Sequence, residues 1–284
     1  MTIMARRSAL YLPASNAKAI AKARTLDCDV VILDLEDAVA ADVKHLAREQ
    51  AVAALAEGGF GPRELIVRVN GLQTEWGAAD LRAIGPAGAD AILIPKVSTA
   101  EDIVRYATLL ERHDVDLWAM IETPLALFRL ESIAATAEST RLRAFVMGTN
   151  DLARETGATL DTMRTAFTGA LGLAVAAARA HGLSILDGVY NHLDDEAGLE
   201  AQARQAVLFG FDGKTLVHPR QIAVCHRAFT PDDAAIARAQ HIIAAFDAPE
   251  NLAKGAIQVD GQMVERLHLE GARRTLAMAA LPAA

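Results

Sequence analysis

The stretch Val30-Val31-Ile32-Leu33-Asp34-Leu35-Glu36-Asp37 decides how the rest of the chain is read. Four apolar residues, mostly β-branched, run directly into a cluster of carboxylates. An apolar run too short for a helix and rich in β-branched side chains reads as a strand buried on both faces. Strands of that kind belong to parallel α/β folds, whose functional groups collect at the carboxyl ends of the strands. The acids at this end are therefore candidate site residues. A blander reading makes Asp37 the cap of the next helix and leaves the other acids solvated. The stretch alone leaves both open.

Working outward, the same punctuation recurs. Strand-like runs fall at 8–12, 30–33, 65–69, 91–94, 117–121, 144–147, 183–186 and 211–216. Helical spacing fills the intervals, for example over 15–26, 42–55, 74–84, 160–180 and 195–208. Eight strands, each followed by a helix, over about 220 residues predict a (β/α)8 TIM barrel. The alternation implies a parallel sheet without separating a closed barrel from an open doubly wound one, and the count of eight favours closure. Further helices are predicted at 232–245 and 263–279, around a glycine-containing arm at 256–261. The expected division is a catalytic barrel domain at 1–229 and a C-terminal helical extension at 230–284, acting as a lid or an oligomer contact.

Composition narrows the function. With 284 residues and 52% hydrophobic content there is ample material for a core. A formal charge of −8 argues against a general nucleic-acid binder, which needs a basic face. Cys28 and Cys225 are far apart in apolar surroundings and read as small buried residues, neither a bridge nor a metal pair. Neither a signal peptide nor an apolar run approaching the roughly 20 residues of a membrane span is evident. The expectation is a cytoplasmic protein.

The strand ends are polar: Glu36 and Asp37 after the second, Arg68 on the third, Lys96 after the fourth, Glu122 after the fifth, Asp151 after the sixth and Asp187 after the seventh. In a closed barrel they converge on one mouth. So many carboxylates beside one Arg and one Lys call for a cation, and oxygen ligands without His or Cys point to Mg²⁺ or Mn²⁺. Each residue also has a structural alternative. Asp151 reads equally as a helix cap. Arg68 inside a strand is costly unless paired, and Glu36 on the neighbouring strand is the expected partner. Lys96 after a proline is open. Glu122 ends a buried strand, where a capping role does not explain it.

The runs Val31-Ile-Leu-Asp-Leu-Glu-Asp-Ala-Val39, Val67-Arg-Val-Asn-Gly71, Ile94-Pro-Lys-Val97, Ile121-Glu-Thr123, Gly148-Thr-Asn-Asp-Leu152 and Gly210-Phe-Asp-Gly-Lys214 through His218-Pro219 follow one another at barrel spacing. Together they resemble the HpcH/HpaI aldolase and citrate lyase β-subunit family, in its acyl-CoA lyase branch. The resemblance implies a TIM barrel that binds Mg²⁺, with Mn²⁺ as a substitute, on Glu122 and Asp151. It makes Arg68 a substrate contact and Glu36 and Asp37 supports of the metal waters and the arginine; Asp34, deeper in the strand, reads from its position as structural. Glu122, Lys96 and the Gly148-Thr149-Asn150 turn are further expected substrate contacts. A C-terminal acid, usually Asp in related lyases, enters a neighbouring subunit's site; Glu265 stands there in this chain. One extra methylene at that position bears on proton-transfer geometry, where misplacement of about 1 Å can cost about 100-fold in rate.

The function so implied is Mg²⁺-dependent carbon–carbon cleavage of a 3-hydroxyacyl-CoA thioester (citramalyl-CoA, malyl-CoA or citryl type) to an acyl-CoA and an α-keto acid. Its expected setting is a homotrimer or hexamer, with no nucleic-acid or membrane partner. The alternatives are a class II aldolase on free hydroxy acids, a CoA thioesterase, and a β-subunit active only within a citrate lyase complex.

Overall fold

The computed structural model describes residues 5–280. Eight parallel strands pair in chain order, and the last returns to the first: β1 Ser8–Pro13, β2 Val30–Asp34, β3 Glu64–Arg68, β4 Ala91–Ile94, β5 Asp116–Ile121, β6 Leu142–Met147, β7 Ser184–Asp187 and β8 Gly213–Leu216. The barrel is closed, as the sequence predicts.

Parity along these strands decides which side chains reach the interior. Successive residues of a strand face opposite sides. Val30 and Ile32 of β2, Ile66 of β3, Leu93 of β4, Trp118 and Met120 of β5, Val146 of β6 and Leu186 of β7 form the apolar filling of the barrel. Their neighbours Val31, Leu33, Val67, Ile92, Phe145 and Ile185 pack outward against the helices. Each fully buried Leu or Ile contributes about 1.5–3 kcal/mol. Such two-sided burial explains why the strands read as continuous apolar runs. Continuing the inward parity by one step past the filling brings Asp34, Arg68 and Glu122 to the top of the interior.

The other end of the barrel is closed by ion pairs. Arg6 forks onto Glu64 through two bonds of 2.7 Å, with its guanidinium 4.8 Å from the centre of the Trp118 ring. Arg7 grips Asp29 in the same way, at 2.9 and 2.8 Å. Cys28 and Cys225 are buried free thiols.

Two predicted elements need correction. The helix expected at 160–180 begins only at Thr168 and runs Thr168–Ala180. Asp161 accepts from both the backbone N–H and the hydroxyl of Thr165, at 2.7 and 2.6 Å, and Arg164 takes a left-handed backbone with φ 51°. Together they hold 161–167 as a turn, although the apolar spacing continues through it. The arm at 256–261 is a β-hairpin of β9 Ala256–Val259 and β10 Gln262–Glu265. Asp260 and Gly261, at φ 49° and 77°, form its turn, the two-positive-φ arrangement that matches strand twist.

After the helix Ile222–Phe229, helices Asp233–Asp247 and Arg266–Ala279 pack with the hairpin around their own small core of Ile242, Phe246, Ile257, Val264 and Leu269. Arg274 reaches from this unit to Asp212, at 2.5 Å, just before β8. That contact lies on the amino-terminal side of the barrel. No helix among the described residues is long and apolar enough to cross a membrane.

Candidate active site

Arg68 organises the mouth. Its register partner on β2 is Asp34, and the guanidinium clasps that carboxylate through Nε at 2.7 Å and Nη2 at 2.6 Å. Asp34 also accepts from the backbone N–H of Glu36 at 2.9 Å and of Ala38 at 3.1 Å. It therefore holds the arginine and the turn that carries the next two acids. The expected ion pair with Glu36 is also present, but the two hydrogen bonds that fix the guanidinium come from Asp34, which the sequence reading did not name as the partner. Parity is the reason: Asp34 and Arg68 are the last inward residues of paired strands, directly opposite each other.

Glu36 remains close, with Oε2 2.9 Å from Arg68 Nη1. That contact is an ion pair without a hydrogen bond, and the Nη1 donor is directed to Met120 Sδ at 3.6 Å. The Tyr11 ring lies 4.9 Å from the guanidinium. Burial would lower the Arg68 pKa, but Asp34 outweighs it and holds the group well above its usual value. A charge fixed by two bonds and covered by an aromatic face is a preorganised donor.

Glu122 follows Trp118 and Met120 on the inward parity and is completely buried. Its Oε1 accepts the backbone N–H of Lys96 at 2.7 Å. Its Oε2 has no partner. Among the described residues three buried side-chain polar atoms lack a hydrogen bond: Glu122 Oε2, Glu36 Oε2 and Trp118 Nε1. Two of the three belong to this mouth. Burial pushes the Glu122 carboxyl above its ordinary pKa, opposed by Lys96. Burial also raises Glu36, to about 7, against the pull of Arg68 and with a further push from Glu122 and Asp37.

Asp151 stands in the first turn of the helix Thr149–Thr156, whose N-cap is Gly148. The capping alternative for Asp151 is thereby removed, as it is for Asp37, since the next helical turn is capped at Ala40. Gly148 is required where it stands. A Cβ there would overlap the Glu122 side chain, coming within 2.6 Å of Oε2. Thr149 is buried, while Asn150 is exposed and pairs its amide with Asn191 at 2.8 and 3.3 Å. A small cleft lined by Thr149, Leu160, Thr162, Tyr190, Asn191 and His192 opens on this side.

Lys96 joins these groups. Its ammonium lies 2.6 Å from Asp151 Oδ1, 3.5 Å from Glu122 Oε1, 3.8 Å from Asp37 and 3.9 Å from Glu36. Burial lowers its affinity for a proton, and Glu122, Asp151 and Glu36 reverse that, so its pKa is raised. Asp37, with its side chain 55% exposed, is the outermost of the four acids.

Two sequence-predicted positions fall elsewhere. Asp187 is counted among the converging acids, but Leu186 holds the inward parity of β7 and Asp187 faces the helix layer. There it is paired with Arg164 and, at 2.9 Å, with Lys214. Arg164 and Lys214 are wholly buried, and Gln202 and Gln205 complete the network. Glu265 lies at the end of the hairpin, where its N–H donates to His268 Nδ1 at 2.9 Å in the capping box of the last helix. No described hydrogen bond or ion pair joins it to the mouth of its own barrel.

Sequence reasoning also missed Lys44. Its ammonium donates to the carbonyls of Leu35 and Glu36, both at 2.8 Å, and so shapes the acidic turn. Asn70 adds a bond to the same Leu35 carbonyl at 2.9 Å. Asn70 stands in the Val67–Gly71 motif that marks the third strand end, whereas nothing in the local pattern around Lys44 marks its role.

An eight-stranded barrel with preorganised charge at the carboxyl end of its strands is an enzyme of the TIM-barrel class. The profile of the HpcH/HpaI aldolase/citrate lyase family matches residues 7–219, and the chain belongs to that family. It is 50% identical over 273 residues to the (3S)-malyl-CoA thioesterase of Cereibacter sphaeroides, covering 96% of this chain and 94% of the relative. It is 33% identical over 285 residues to the citrate lyase subunit beta of Escherichia coli, covering 97% and 94%. Among solved structures it resembles CitE of Mycobacterium tuberculosis in complex with magnesium, acetoacetate and coenzyme A. That match has a TM-score of 0.80 at 30% identity, over 98% of this chain and 99% of the other.

Proposed function

We propose that this chain is a Mg²⁺-dependent enzyme of a short 3-hydroxyacyl-CoA thioester of malyl or citramalyl type. It splits the carbon–carbon bond next to the hydroxyl and leaves an acyl-CoA and an α-keto acid. The observation that carries the reading is the pairing of a fixed cationic donor, Arg68, with a buried carboxylate, Glu122, that has an oxygen without a partner. Buried polar atoms of that kind call for a ligand.

The donor set suits the metal. Among the described residues no three His, Cys, Asp or Glu side chains form a ready metal cage. Mg²⁺ takes one or two carboxylates and completes its shell with water and substrate. Glu122 and Asp151 would hold it, and CitE of Mycobacterium tuberculosis, a solved relative, is in complex with magnesium. Bound there, the ion supplies Lewis-acid polarisation of the substrate's hydroxyl and carboxylate oxygens.

The chain's own residues do the rest. Arg68, immobilised by Asp34, presents its remaining N–H groups to the negative charge that develops on the thioester oxygen as the bond breaks. A fixed donor of this sort contributes about 3–4 kcal/mol. Glu36, with a pKa near neutrality, and the exposed Asp37 are placed to exchange a proton with solvent. Tyr11, Met120 and Arg68 close the floor and keep water from the reacting bond. Asn150 and Thr149 form the wall nearest Asp151. Glu265 acts on the site of a neighbouring subunit in a homotrimer or hexamer, with residues 230–284 as the intersubunit element. The free state of both cysteines suits a reducing cytoplasm.

One specific observation favours a second reading on the same substrate, hydrolysis of the thioester. The thioesterase is the nearer of the two relatives described, at 50% against 33% identity for the lyase subunit. Incubation of purified protein with (3S)-malyl-CoA and Mg²⁺ decides between them. Cleavage yields glyoxylate and acetyl-CoA without free thiol, whereas hydrolysis yields malate and one equivalent of free CoA. Turnover of neither malyl-CoA nor citramalyl-CoA would overturn the substrate class.

A further inference from the structure

Resting on the reading of Glu122 and Asp151 as metal ligands, we propose that Lys96 is a tethered counter-cation of the carboxylate cluster. A divalent metal ion must displace it, and its release then places the ammonium against an anionic substrate. The geometry points to this in three ways. First, the ammonium lies between the two carboxylates that would share the metal, 2.6 Å from Asp151 Oδ1 and 3.5 Å from Glu122 Oε1. A metal ion held by these two carboxylates would take Asp151 Oδ1 and the partnerless Glu122 Oε2 at the short distances Mg²⁺ demands, and it would compete with the ammonium for Asp151 Oδ1.

Second, the backbone holds Lys96 at this place at a conformational cost. Its φ of 53° is a left-handed value that a residue with a Cβ rarely adopts. That conformation also points its N–H at Glu122 Oε1, at 2.7 Å. The residue is thus anchored through its main chain while its side chain stays free to move.

Third, no other cation of the mouth can do the same. Arg68 is clasped by Asp34 through two bonds. Arg154, which also touches Asp151 Oδ1 at 2.6 Å, approaches from solvent with its side chain 65% exposed and is screened there. Lys96 combines a compact charge with a flexible four-carbon stem, and its side chain is 22% exposed, so a path outward exists. Displaced from the carboxylates, the ammonium remains over the mouth because its backbone is pinned.

Lys96→Met and Lys96→Gln remove the charge, and Lys96→Arg keeps it. Calorimetric titration of the full chain with Mg²⁺ alone at pH 8 should show binding about tenfold or more tighter in the Met and Gln variants, since removing one of two competing charges at this separation is worth at least that factor. The Arg variant should stay near wild type. Glyoxylate titrated into the Mg²⁺-saturated protein should bind about tenfold more weakly to the Met and Gln variants. Mg²⁺ affinity that is unchanged or weaker in both neutral variants overturns the proposal. A parallel titration of Glu122→Gln separates the two levels of inference. If that variant binds Mg²⁺ as wild type does, the metal assignment itself fails. If it loses Mg²⁺ while Lys96→Met matches wild type, only the role of Lys96 fails.

Discussion

Two clusters of buried charge, one in the mouth at the ends of β2 to β6 and one behind the wall at β7 and β8, are built on opposite plans. Behind the barrel wall, Asp187 has both oxygens engaged, by Arg164 and Lys214, and Gln202 and Gln205 accept the remaining donors. Inside the mouth, Glu122 and Glu36 each keep an oxygen with no hydrogen bond. Four acids there face one ammonium, that of Lys96. A buried network with every partner present rigidifies the fold, whereas one with open positions destabilises the empty site and is kept for what it binds. Both clusters contain Asp, Lys and Arg, so residue type does not distinguish them. Their satisfaction does.

Substitutions test this contrast. The largest effect is expected at Arg68, which belongs to both plans. Arg68→Met leaves Asp34 as an unpaired buried charge and should cost about 3–5 kcal/mol in denaturant stability. It should also lower kcat by about 10²–10³ in whatever remains folded. Lys214→Met should cost a similar 3–5 kcal/mol for the same reason. Here, though, the turnover of the folded fraction should stay within a few-fold of wild type. Loss of turnover at full stability would move Asp187 and Lys214 into the functional cluster.

Glu122→Gln inverts that pattern. The amide oxygen of the glutamine can still accept the Lys96 N–H, so melting should shift little, while kcat falls about 10²–10³-fold and its response to Mg²⁺ is lost. Glu265→Gln should reduce turnover about 100-fold, the scale of a misplaced catalytic group, without a change in melting. Mixing it with Glu122→Gln protein should restore activity, because hybrid oligomers would contain one intact shared site. Failure to complement would confine Glu265 to capping its helix.

The smallest effect concerns pH. Glu36 titrates near 7 in the folded protein and near the ordinary carboxylate value of 4.5 when unfolded. Between those values the folded state holds a proton that the unfolded chain has released. Its contribution to stability is therefore present in acid and is lost as pH rises through that window, by on the order of 2 kcal/mol. Melting of the wild type in EDTA should decline from pH 5 to pH 8, and Glu36→Gln should flatten the decline. An equal slope in both proteins would place the titration elsewhere.

Much of the barrel was legible because a strand buried on both faces must be apolar throughout and must end where polarity begins. Val30–Asp34 and Ala91–Ile94 announce themselves in this way. Glu122 was legible for the same reason, as a charge directly abutting a buried strand with no capping role to explain it. The helix predicted from 160 misled because apolar spacing carried through a turn that Asp161 and the left-handed Arg164 impose. Asp187 misled because proximity to a strand end does not say which face a side chain takes.

The sequence by itself determined the alternation of strands and helices, the closure implied by their number, and the residues available at the strand ends. These follow from hydrophobic burial and local backbone preference, which act along the chain. Only the tertiary structure decided that Asp34, not Glu36, clasps Arg68, that Asp187 turns away from the mouth, and that Lys96 stands between Glu122 and Asp151. Each depends on strand parity, cross-strand register or a left-handed backbone. Those quantities are set between segments far apart in sequence, so no local pattern carries them.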